Sequence, residues 1–162
     1  MAKLTALTLI RFGACRLQVR FFLEQFGEEV EVTEELCAKY FDEFDWDWAS
    51  EFLLPGQADR TRRKWLDRLE GRAVQFRVKY SNFYARPGVA TDWDRLNALE
   101  VKLEHWESIM AARFWARLYI RAPRTSFRRR RYGEPVISET EAGRILEMYK
   151  LMSPTLKASL NT

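Results

Sequence analysis

Two stretches of the chain place apolar residues at alternating steps of three and four. In the first, Leu66, Leu69, Ala73, Phe76, Tyr80 and Phe83 line one stripe of a helix over about 59–85. A shorter pattern competes inside it, because Val74, Phe76, Val78 and Tyr80 alternate as a strand would. The helix accounts for the whole stretch and the strand for only part of it, so the helix is preferred. Gly71 in its interior costs about 1 kcal/mol relative to alanine. In the second stretch, Leu96, Leu99, Leu103, Trp106, Met110, Phe114 and Leu118 predict a helix over about 91–121, ended by Pro123.

Arg86-Pro87-Gly88-Val89-Ala90 separates the two, and Thr91 reads as an N-cap followed by Asp92 and Asp94. Helices joined by so short a turn fold back on each other. Each would be roughly 40 Å long at 1.5 Å per residue. The facing stripes bury one another and carry enough bulk to bury further helices.

The flanking segments are shorter. Leu4, Leu7, Ile10, Ala14, Leu17 and Phe21 keep helical spacing, which predicts one helix over 3–26. The alternative is a strand over Leu4–Phe12 followed by a helix from Ala14. Thr33 caps a helix to about Phe41, and Asp45 or Asp47 caps a short one reaching Leu54 before a Pro55-Gly56 turn. Asp-Trp-Asp occurs at 45–47 and 92–94, and both copies read as helix starts. After Pro135, Ser138 and Glu141 form a capping box that opens a helix to about Met152. The expected fold is a single all-α domain over 1–162, built on a long antiparallel helical hairpin with shorter flanking helices. A basic connecting loop covers 123–137, and 153–162 reads as a flexible tail.

Composition narrows the class. In 162 residues, 47% are apolar and 14% aromatic, too rich for a disordered chain. The apolar run Leu4–Ile10 is far short of the ~20 residues of a membrane span. Arg11 interrupts it before Phe12-Gly13-Ala14-Cys15, which argues against a secretion signal. A cytoplasmic protein with no membrane partner is expected. Cys15 and Cys37 show no CxxC spacing, so two buried free thiols are preferred to a disulfide.

Charge changes the picture most. Residues 28–59 hold eleven acids and a single base, Lys39. Residues 108–133 hold eight arginines (Arg113, Arg117, Arg121, Arg124, Arg128, Arg129, Arg130 and Arg131) and no acid. Arg60, Arg62, Arg63 and Lys64 form a second basic cluster. If Ala85 opposes Thr91, residue 63 falls beside 113 and 60 beside 116, so both clusters meet at the open end of the hairpin. Arg113, Arg117 and Arg121 share one helix face at about 6 Å intervals. Arginine outnumbers lysine 20 to 7, and its planar fork pairs phosphate bidentately. Phe127 and Tyr132 flank the four-arginine run, where they would stack on bases.

These features point to a non-catalytic protein that binds nucleic acid, or docks on a nucleoprotein complex. Phosphate contacts would come from Arg60, Arg63, Lys64, Arg113, Arg117, Arg121, Arg124 and Arg128, Arg129, Arg130, Arg131. The blander alternative is that Arg113, Arg117 and Arg121 pair with the acidic segment 28–59 of the same chain. A second functional reading is an inhibitor or adaptor that presents the acidic aromatic segment 28–59 to a basic protein surface. A helix-turn-helix over 33–71 is disfavoured because its would-be second helix is acidic. The lone His105 supports no triad, and no phosphate-cradling glycine motif is present, so neither catalysis nor a metal or cofactor is expected.

Overall fold

The computed structural model describes residues 1–54, 56–84, 93–122 and 135–152, with side chains of the two long helices described up to Lys79 and from Asn97. Within those residues the fold is all-α apart from one small ribbon. Its order is β1 (Lys3–Thr5), α1 (Ala6–Arg11), α2 (Arg16–Phe26), β2 (Glu29–Glu31), α3 (Glu34–Lys39), α4 (Trp46–Leu53), α5 (Gly56–Tyr84), α6 (Trp93–Arg121) and α7 (Glu139–Met152).

The N-terminal segment corrects both expected forms, the single helix over 3–26 and the strand over Leu4–Phe12, because a three-residue strand precedes two separate helices. Lys3–Thr5 pairs antiparallel with Glu29–Glu31, matching Leu4 to Val30. The Thr5 hydroxyl then accepts from the Thr8 amide at 3.1 Å and starts α1. Gly13, at φ +79°, breaks the chain between α1 and α2 in a conformation that disfavours residues with a Cβ. A Cβ there would also lie 3.2 Å from Val136 Cγ2. Helical spacing survives across this break, which is why the pattern alone reads as one helix. Gly27, at φ +72°, turns α2 into β2.

Three expected caps are present. Thr33 Oγ1 accepts from the Leu36 amide at 3.1 Å, Asp45 Oδ1 from the Trp48 amide at 2.9 Å, and Ser138 Oγ from the Glu141 amide at 3.2 Å. The strand alternative over 74–80 is excluded, since α5 is helical throughout. Cys15 and Cys37 are both free thiols, but Cys15 is exposed rather than buried. Burial pushes the Cys37 thiol up to about 12.

The core gathers on the C-terminal half of α6. Ala112 and Ala116 are fully buried, and their small side chains let neighbouring helices approach closely. Trp115, 1% exposed, packs between Trp46 at 5.2 Å and Tyr119 at 4.9 Å. Phe21, Phe26, Tyr40 and Phe44 form a cluster beside it: three ring pairs meet edge-to-face with centroids 5.1 to 5.9 Å apart, and Phe26 stacks on Phe44 at 6.3 Å. α7 covers α1 with Ala142 and Leu146.

Helix α5 lies along α6 in the opposite direction. Trp65 stacks on Phe114 with centroids 4.3 Å apart, and Arg77 meets Glu100 at 2.6 Å. The turn expected at 86–90 and the Thr91 cap lie outside the described residues.

Candidate nucleic-acid interface

The Trp65–Phe114 stack sets the level at which the two basic clusters face each other. Arg60, Arg63 and Lys64 sit within five residues of Trp65, and Arg113 and Arg117 within three of Phe114. The structure thus brings the described candidates to one end of the helix pair. Arg124, Arg128, Arg129, Arg130 and Arg131, with Phe127 and Tyr132, lie outside the described residues.

These cations are not equivalent. Arg62 is 5% exposed and donates to Asp47 Oδ1 at 3.1 Å, so it pins α5 to α4 rather than presenting charge outward. Arg63 pairs with Asp59 one turn earlier at 2.9 Å, and Arg60 donates to Gln57 at 2.9 Å. Arg117 donates from Nε and Nη2 to the two oxygens of Glu34, at 2.8 and 2.9 Å. This fork-to-fork contact holds the Glu34 carboxyl below its ordinary value and raises Arg117 above its own. Arg113 and Arg121 also favour ionised Glu34 through space, yet neither forms an ion pair among the described residues. Lys64 likewise has no carboxylate partner among them.

The blander alternative therefore holds for Arg117 of the three arginines it named, and Asp59 answers Arg63 as well. Lys64, Arg113 and Arg121 remain exposed and unanswered among the described residues.

The acidic segment divides similarly. Phe41, Phe44, Trp46, Trp48 and Phe52 are partly buried against the core. Asp42 and Glu43 crowd each other at the surface, where their mutual hydrogen bond raises the Glu43 carboxyl. His105 is exposed and meets the Phe41 ring edge-on at 5.5 Å. Among the described residues, no group of three His, Cys, Asp or Glu side chains is placed to hold a metal ion. No helix among them is long and apolar enough to cross a membrane.

Sequence reasoning missed one part of this face. Phe76 and Trp106 belong to the apolar stripes, yet they are 41% and 44% exposed. Beside them Arg72 and Lys102 help line an open groove between α5 and α6. The signal was available in the stripes themselves, which carry more apolar surface than a two-helix contact can cover.

No protein-family model, curated protein or solved structure matches this chain.

Proposed function

We propose that this chain is a non-catalytic nucleic-acid-binding helical protein, or a component that docks on a nucleoprotein complex. It contacts phosphates through the arginine-rich end of the α5–α6 pair. The observation that carries this reading is the Trp65–Phe114 stack, which sets the chain neighbours Lys64 and Arg113 at one level of the helix pair, while no carboxylate pairs with either among the described residues. Unpaired cations concentrated on one face release counterions when phosphates replace them. Arg121 adds to this face, and the sequence carries further arginines at 124 and 128–131.

Binding of random-sequence DNA and RNA to the full chain, followed by fluorescence anisotropy between about 50 and 200 mM salt, tests it. Neutralising four phosphates predicts a log–log slope of about −2.8 for single strands and about −3.6 for duplex DNA. Absence of binding at the lowest salt rejects the reading.

A second reading rests on the crowded Asp42–Glu43 pair, which a basic protein surface would relieve. In this reading the chain is an inhibitor or adaptor acting through segment 28–59. Its half-buried aromatics are already committed to the core, which leaves mainly carboxylates to make the contact. A partner captured from lysate that survives nuclease treatment and is lost on Asp42→Asn with Glu43→Gln supports it.

A further inference from the structure

Beyond Leu69 the two long helices form an arm with two unlike sides. On one side Arg77 is bracketed by Glu100 at 2.6 Å and Glu107 at 3.0 Å. On the other side a groove of about 410 Å³ opens along the seam, in the size range of ligand clefts. Its floor is Ala73, Leu99 and Leu103, its exposed aromatics are Phe76 and Trp106, and its rims carry Arg72 and Lys102. No carboxylate lines it among the described residues. Trp106 and Arg113 are seven positions apart, two helical turns, so Arg113 projects from the same side of α6 as the groove, toward the basic end.

We propose that this groove is a base-stacking site for single-stranded nucleic acid. The proposal rests on the nucleic-acid reading above and names its substrate class. Cationic rims select a polyanion, and an accessible indole between them offers a face to an unpaired base. In a duplex the base faces are already stacked and unavailable. A second copy of the chain fits poorly, because symmetric packing of two such grooves would bring the Arg72 and Lys102 rims against their equivalents. An acidic amphipathic helix satisfies the rims too, but it leaves unexplained Arg113 on the same side of α6 and the cationic end. Nucleic acid accounts for both.

The test measures anisotropy of labelled dT and rU oligonucleotides of about 15 nucleotides, and of a duplex of equal length, against wild type, Trp106→Ala and Trp106→Phe. Losing one stacked base should weaken the single strands about tenfold. Duplex affinity should change less than about twofold, and the salt slope, set by phosphate contacts, should stay the same. Trp106→Phe should recover most of the loss, and unchanged thermal unfolding of both variants shows that the fold is intact. If Trp106→Ala binds single strands as wild type does, the stacking site is overturned while nucleic-acid binding stands. If wild type binds neither single strand nor duplex, the function proposed above fails and this inference with it. A Trp106-dependent affinity for an acidic amphipathic peptide, without one for the oligonucleotides, overturns it in favour of a protein partner.

Discussion

Arg72 and Arg77 stand five residues apart on α5, about 140° around the helix. Arg77 donates to two carboxylates of α6, and the hydrogen bond to Glu100 is the main cause of its raised pKa. Arg72 lines the open groove and meets no carboxylate among the described residues. The acids explain the difference. Glu100 and Glu107 are seven apart and share one stripe of α6, so they answer cations on one side of the arm only. Arg113 and Arg117 repeat the contrast one turn apart, since Glu34 reaches Arg117 alone. A formal net charge of +4 conceals this arrangement. Where the carboxylates sit, rather than how many there are, decides which cations remain available to a polyanion.

The largest expected effect separates the core side of α6 from its groove side. Trp115→Ala removes an indole that is 1% exposed and stacked on Tyr119, and should cost about 3–5 kcal/mol in urea unfolding. Trp106→Ala, at 44% exposure, should cost less than about 1 kcal/mol. Equal losses would mean that the groove is part of the core.

A second pair of variants divides the cations. Replacing Arg72 and Arg113 together by alanine should weaken binding to random nucleic acid and reduce the magnitude of the salt slope by about 1–2. Arg77→Gln should leave both quantities near wild type, because its charge is already spent on Glu100 and Glu107. A larger effect from Arg77 would invert the comparison.

The smallest effect is a gain. Glu34→Gln releases Arg117 and should raise affinity by about two- to fivefold, the scale of an exposed ion pair. The sign with pH follows from the lowered Glu34 carboxyl. Its contribution to stability is present above the unfolded-state value of 4.5 and is lost as pH falls through the lower folded-state value. Wild type and variant should therefore converge in their affinity for oligo-dT as the pH drops through that window. A difference that persists there assigns the gain to something other than the Glu34–Arg117 contact.

Much of the fold was legible because helices announce themselves by period and cap. The long stripes located α5 and α6 to within a few residues, and Thr33, Asp45 and Ser138 marked helix starts by side chains that accept from the first turn. The break at Gly13 was legible only as one of two alternatives, since α1 and α2 keep a common period across it. Nor was β2, whose three residues derive their structure from pairing with Lys3–Thr5. In the candidate site, the shared level of Arg60, Arg63 and Lys64 with Arg113 and Arg117 followed from helix geometry. Which of the arginines would be neutralised did not, because Glu34 and Arg117 are separated by 83 residues and meet only through the packing of α3 on α6. Trp106 was read as interior because its spacing is that of a core residue. It is exposed because α5 leaves that side of the seam uncovered.

Photocrosslinking of a 4-thiouridine oligonucleotide to the full chain, followed by peptide mapping, locates the bound strand on the molecule. Crosslinks should concentrate at Trp106 in the tryptic peptide 103–113, beside the groove that Arg72 and Lys102 flank. Crosslinks confined to the acidic peptide 40–60, with none in 103–113, would contradict a nucleic-acid path along the unneutralised side of α5 and α6.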